Sequence, residues 1–251
     1  MKLRRSISPH QLLFALLAGL CLLLSGTPGI AQDQIVLRDG RKQDGKILGV
    51  SYPNVQIQVG AGKIGINIQQ IASIQMAVPP QVAVAQAAYA AGENAKALAA
   101  AKAVVDQFNG LPLPWAQQTT ELLGNLYLDM DKTREAEETF ALLQKGYGAQ
   151  GGLVGMARLA VKKKDYTAAR EKLEPIISAA LKDRNVPAGM GPTYSWAFLT
   201  MGQVNEAEND YPAALENYLR TVTLYPQSEK AVQLAREHAD ALRKEHNVTV
   251  P

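Results

Sequence analysis

The spacing of small and bulky residues constrains this chain more than any other feature. Gly124 precedes Ala136 by twelve residues, and Phe140 follows Ala136 by four. The interval recurs. DYTAAREKLEPII (Asp165 to Ile177) carries Ala169 and then Leu173, and DYPAALENYLRTV (Asp210 to Val222) carries Ala214 and then Tyr218. Twelve residues before each of these alanines stand Ala157 and Gly202. A small residue lets a second helix approach closely, and the large one fills the space beside it. A fixed interval repeated along a chain describes stacked helix pairs, each burying its face on the next.

On these residues the chain resembles the tetratricopeptide repeat, a helix–turn–helix unit of about 34 residues. One repeat supplies Leu123, Gly124, Tyr127, Ala136 and Phe140, with Gly148 where the family has Pro. A later one supplies Phe198, Met201, Gly202, Ala214, Tyr218 and Pro226, and a degenerate one Met156, Ala157, Ala160, Ala169 and Leu173. A first repeat fits Ala85, Ala88, Ala97 and Ala101. The anchor alanines fall 39, 33 and 45 residues apart, with the excess in two loops, Asn109 to Trp115 and Asp183 to Pro192. The segment Ser228 to Lys244 reads as a closing helix with one polar face, as an open solenoid requires. The resemblance implies that the first helix of each pair lines a concave groove for a protein or peptide partner. Position by position, the groove residues are Gln86, Tyr89, Gln118, Glu121, Asn125, Asp129, Arg158, Lys162, Trp196, Leu199 and Gln203. Trp196 stands out, because Trp and Arg are enriched among binding hot spots. Asn125 fits one slot of the carboxylate clamp of chaperone-binding members, but Glu121 replaces the adjacent Lys, so capture of a carboxylate tail is not implied.

Residues 32–76 follow a different period. VQIQV (Val55 to Val59) and IGINI (Ile64 to Ile68) alternate strictly, which predicts strands with one apolar face. Five strands are expected, at 34–38, 45–51, 54–59, 63–68 and 71–76, with hairpin turns at Asp39-Gly40 and Gly60-Ala61-Gly62. A sheet this short buries enough only by curling into a barrel or by packing on the neighbouring domain. LRDGRKQDGKILGVSYPNVQIQV resembles the first motif of Sm-like barrels, and more loosely an SH3-like barrel. Asn54 matches the Asn of that family's RNA-binding loop, yet Ser51 replaces its acidic partner and the Arg-Gly pair of the second motif is absent. The resemblance implies a barrel without RNA binding, with Asn54 a turn residue. Tandem prolines in AVPPQ (Ala77 to Gln81) mark a linker.

Ahead of the sheet, Lys2, Arg4 and Arg5 lead into the apolar run Leu12 to Leu24, and small residues follow at Gly29 and Ala31. That order describes a secretory signal over 1–31, and the run is shorter than the roughly 20 apolar residues of a membrane span. Cys21 lies inside the apolar core behind Leu20, which disfavours a lipoprotein signal. The formal charge of +3 comes wholly from Lys2, Arg4 and Arg5, so the remainder balances 23 basic against 23 acidic residues. A neutral chain gives no electrostatic case for nucleic acid. The single cysteine belongs to the signal, so neither disulfide nor thiol chemistry is expected.

A catalytic constellation is missing. His238 and His246 are eight apart, a poor metal spacing, and read as solvated. Asp129, Asp131, Glu135, Glu137 and Glu138 lack the ligand order of a calcium loop and read as a solvated inter-helix turn. Lys162 to Lys164 close a helix, where positive charge is favoured. The expectation is a mainly α protein: a helical solenoid of about four helix pairs plus a capping helix over 82–245, a flexible tail at 246–251, and a small barrel-like β domain in front. It is expected to be exported, to the periplasm or outside the cell, with no cofactor and no metal. Its role would be an adaptor for another protein, or an accessory subunit that docks through the β domain.

Overall fold

The computed structural model describes residues 32–182 and 185–249. The expected secretory signal, 1–31, lies outside them. Five strands come first: β1 (Asp33–Leu37), β2 (Lys42–Ser51), β3 (Asn54–Val59), β4 (Gly62–Asn67) and β5 (Ile71–Gln75). Nine helices follow among the described residues: α1 (Pro80–Ala90), α2 (Asn94–Phe108), α3 (Pro114–Asp129), α4 (Thr133–Tyr147), α5 (Gln150–Lys162), α6 (Tyr166–Lys182), α7 (Gly191–Ala207), α8 (Tyr211–Thr223) and α9 (Glu229–His246). They form four hairpins, α1–α2, α3–α4, α5–α6 and α7–α8, each packed on the next, with α9 closing the stack against α8 and α7.

The repeated interval is a packing fact. A β-carbon on Gly124 would stand 2.5 Å from the Phe140 ring, and one on Gly202 would stand 2.4 Å from the Tyr218 ring. Phe140, Tyr218, Leu173 and the alanines 97, 136, 157, 169 and 214 are all fully buried. Glycine or alanine on the first helix therefore makes room for the bulky residue of the second.

Four equivalent turns show the same period in the backbone. Gly92, Asp131, Lys164 and Asn209 have φ of 74°, 60°, 61° and 64°, and each lies five residues before an anchor alanine. At every one the next residue's N–H reaches back five positions: Glu93 to Ala88, Lys132 to Tyr127, Asp165 to Ala160 and Asp210 to Asn205. One left-handed residue thus ends each first helix and launches the second. Gly148, where the family has Pro, ends α4 in the left-handed conformation at φ 60°.

The sheet is antiparallel in the order β4-β3-β2-β1-β5. Val55 and Ile57 pair with Ile66 and Ile64, which sets the alternating residues on one face. The expected barrel is corrected here: no ladder joins β4 to β5, and the sheet is open. Its apolar face is covered by the solenoid instead. Ile35, Ile47, Val55, Ile57, Ile66 and Ile71 share a core with Val82, Val104, Phe108, Leu111 and Trp115. Phe108 and Trp115 meet edge to face at 5.4 Å. A register shift in β2 between Ile47 and Gly49 leaves the Leu48 carbonyl to accept from Gln107 Nε2 at 2.8 Å, and a β-carbon on Gly49 would stand 2.5 Å from the Gln107 carbonyl. Closing a barrel would add one ladder, whereas packing on α2 and α3 buries a row of isoleucines.

Candidate functional site

Three first-of-pair helices, α1, α3 and α5, place Tyr89, Asn125, Asp129, Arg158 and Lys162 side by side. Helical spacing brings this about: Glu121, Asn125 and Asp129 lie four apart along α3, and Arg158 and Lys162 four apart along α5. Tyr89 Oη donates to Asp129 Oδ2 at 2.9 Å. Arg158 Nη1 donates to Asn125 Oδ1, and its Nη2 stands 3.8 Å from Asp129 Oδ1. From α7, Trp196 offers its ring face to Arg158, whose guanidinium carbon is 3.7 Å from the ring centre. Cation–π contacts of this kind contribute about 0.5–2 kcal/mol, more where water is excluded. Here it is largely excluded, with Arg158 only 11% exposed and Asp129 14%.

Burial sets the protonation chemistry. Desolvation draws the Arg158 pKa down against the pull of Asp129. It also pushes the Tyr89 phenol up, helped by the Asp129 charge and hydrogen bond. Desolvation raises the Glu121 carboxyl against the opposing attraction of Arg158. Glu121 lies against the first turn of α5, where a β-carbon on Gly151 would come within 2.8 Å of its carboxylate.

Lys162 Nζ reaches back to the Leu128 carbonyl at 3.2 Å and to Asp131. Beside it, Leu128, Asp129, Arg158, Trp196, Gln203 and Leu234 border a hollow of about 370 Å³. Gln203 is half-buried at this rim, Leu199 is buried, and Gln86 and Gln118 are exposed. Neither Gln86 nor Gln118 takes part in the cluster's hydrogen bonds.

Two sequence expectations change. Asp129 is not a solvated turn residue: it ends α3 pointing inward, where Tyr89, Arg158 and Lys230 surround it. Asp131, Glu137 and Glu138 do face solvent, each paired with a cation. His238 is not free in solvent either. Its Nδ1 lies 2.9 Å from Glu206 Oε2 and its ring stacks on Tyr218 at 5.1 Å. Glu206 also accepts from the Tyr218 hydroxyl, which with burial drives that phenol's pKa up. Helix α9 continues through His246, which stacks on Tyr211 at 3.8 Å.

Sequence reading missed two participants. Lys230 lies in the first turn of α9, outside the helix pairs, yet its Nζ meets Asp129 Oδ2 at 2.5 Å and hangs 5.2 Å over the Tyr89 ring. Only tertiary proximity reveals it, since 141 residues separate it from Tyr89. The glycines of QGGLVG had a visible signal, because three within one helix need a reason. Gly155 would drive a β-carbon to 2.3 Å from the Phe140 ring, and Gly152 would drive one to 2.9 Å from the Phe140 carbonyl. Among the described residues no group of three or more His, Cys, Asp or Glu could hold a metal ion, and no helix is long and apolar enough to cross a membrane.

No family model matches the chain, and no curated protein does. Among solved structures it is similar to a tetratricopeptide repeat protein from Parabacteroides merdae, at 12% identity and a TM-score of 0.43, over 66% of this chain and 59% of that one. It thus spans well under two thirds of that protein. It is also similar to the first TPR domain of human RPAP3 (19% identity, TM-score 0.37, 55% of this chain and 100% of that one). A third likeness is to MamA protein (15% identity, TM-score 0.36, 68% and 96%). Likeness at this level does not bear on partner or activity.

Proposed function

We propose that the protein is an exported, non-catalytic adaptor of the tetratricopeptide type that takes a segment of another protein against its concave face. The observation carrying this reading is the polar and aromatic cluster of Asn125, Asp129, Arg158 and Trp196 beside the open hollow at Lys162 and Gln203. Arg158, Asp129 and Trp196 are largely buried behind this hollow, and Lys162 and Gln203 form the polar rim that a peptide would meet. Export rests on the order of residues 1–31 alone. The compartment would be periplasmic or extracellular.

The deeply placed members of the cluster hold the stack together, so the test belongs at the rim. Lys162→Ala with Gln203→Ala changes groove chemistry without emptying the core. The protein and this variant are used to capture material from an envelope extract, read by mass spectrometry. Partners retained by the protein and lost with the variant support the groove. Equal retention overturns it.

A second reading has its own observation. A cleft of about 1010 Å³ lies between residues 44–47 inside β2, the end of β3 with the turn after it at 58–60, and the segment 76–81. An accessory subunit docking through the sheet would use this cleft. Equal retention with the rim variant and loss with Lys46→Glu would favour it.

A further inference from the structure

We infer that Tyr89 and Asp129 form an ammonium-binding subsite that the protein occupies with its own Lys230, and that a partner segment enters by presenting a basic side chain in its place. The inference rests on the groove reading above and names the chemistry of its ligand.

Four observations converge. First, Asp129 spends only one oxygen loosely on Arg158, at 3.8 Å, because Arg158 directs its Nη1 to Asn125. Its other oxygen accepts from the Tyr89 hydroxyl and pairs with Lys230. Second, the Tyr89 ring face lies under the same ammonium, so carboxylate and π-face together make a cation receptor. Third, the receptor is far more buried than its occupant: the side chain of Asp129 is 14% exposed and that of Lys230 is 44%.

Fourth, Lys230 is badly placed by its own helix. It is the second residue of α9, at the positive end of the helix dipole, where an acid is favoured and a cation is not. Glu229 and the Ser228 cap suit that end, and Ser228 accepts from the Ala231 N–H. Lys230 contributes no buried apolar surface to α9, whose packed stripe is Ala231, Ala235, Ala239 and Leu242. The groove therefore holds Lys230 against the preference of its helix. The Lys230 ammonium itself stays in reach of water, so an incoming cation can take its place while the buried carboxylate stays paired throughout, and the net cost of exchange is small. Emptying the subsite removes one positive charge from the groove and leaves Asp129 with the Tyr89 hydroxyl and the more distant Arg158 guanidinium.

The partner chemistry follows. A lysine or arginine side chain fits, and an acidic or purely apolar segment does not. Such a ligand competes with Lys230, so the apparent affinity is reduced by the fraction of molecules with the subsite self-occupied.

The probe is N-acetyl-lysine methylamide, with N-acetyl-norleucine methylamide as its neutral twin. Each is titrated into the full chain and followed by NMR shifts of the Tyr89 and Asp129 amides. Lys230→Met is expected to bind the lysine probe roughly two- to fivefold more tightly than the unmodified protein, because self-occupation by a solvent-reachable ammonium no longer competes. Lys230→Arg is expected to behave as the unmodified protein. Lys230→Met with Asp129→Asn loses the gain, and the norleucine probe gives no shifts in any form.

Equal affinity of Lys230→Met and the unmodified protein overturns the inference, as does binding that survives Asp129→Asn. Failure of Lys230→Met to fold overturns it too, because a displaceable contact cannot be required for folding. The two readings fail separately. Groove-dependent capture with no effect of Lys230→Met sinks only the subsite. A tighter lysine probe with no groove-dependent capture sinks the adaptor reading and leaves the subsite standing.

Discussion

Gly155→Ala decides whether close helix approach or helix propensity governs α5. In an open helix interior, alanine is favoured over glycine by about 0.8–1 kcal/mol. Gly155 is not open: its added β-carbon would fall 2.3 Å from two carbons of the Phe140 ring and 2.5 Å from a third. The ring cannot swing clear, because it is fully buried and already fills the space that Gly124 leaves at 2.5 Å. Overpacking of this kind costs about 1–3 kcal/mol. With contacts at 2.3 Å the upper half of that range applies, about 2–3 kcal/mol, so with propensity opposing it the net loss should be about 1–2 kcal/mol. Urea unfolding reads this directly, and a chain of this size should melt about 2–8 °C lower. Phe140→Leu restores room, so the double variant should lose less than the sum of the single ones by at least about 0.5 kcal/mol. Gly146→Ala is the control: it lies in α4 with nothing nearer than 3.5 Å to the new carbon, and should be neutral or stabilising. If Gly155→Ala were as stable as the parent or more so, the account of small residues as approach points would be refuted.

Other predictions concern the turns, the charged cluster and the sheet. Lys164→Gly should stabilise by about 0.5–1 kcal/mol in urea unfolding, because Lys164 occupies the left-handed turn position that Gly92 fills without strain. Arg158→Met should cost about 2–3 kcal/mol by the same measurement, less than a typical broken buried pair because Tyr89 and Lys230 still face Asp129. Glu121 has a folded-state pKa raised by burial, so the unfolded chain gives up this proton first and stability falls as pH rises from the unfolded value toward the folded one. Glu121→Gln should therefore raise the melting temperature at pH 7, and the gain should vanish once pH drops below the ordinary carboxylate range. Phe108→Ala should cost about 3–5 kcal/mol and expose the sheet to limited proteolysis together with α2, since one core joins them.

The helix pairs were legible because the interval from Gly124 to Ala136 to Phe140, repeated at Ala169 and Ala214, records direct contact between neighbouring helices. Strand alternation from Val55 to Ile68 was legible for the same reason: one side chain in two faces the core. Local periodicity encodes which face of an element is apolar. It does not encode what covers that face. The sheet could have closed on itself, and only the packing of Phe108, Leu111 and Trp115 over its isoleucines shows that the solenoid covers it and β4 and β5 stay apart.

The same division runs through the candidate site. Helical spacing set Asn125 and Asp129 four apart on one helix and Arg158 and Lys162 four apart on another, and the packing of the pairs brings Trp196 against them. Their partners were decided in three dimensions. Asp129 and Asp131 are two residues apart in a run of acids, yet one is buried among Tyr89, Arg158 and Lys230 and the other pairs with Lys162 at the surface. Sequence alone fixed the period of this protein, since hydrophobic spacing is set by helix and strand geometry. Tertiary structure decided how far the stack curls, and so brought Lys230 of the last helix onto Tyr89 of the first. Superhelical curvature sums small rotations over every repeat, and no single repeat contains it.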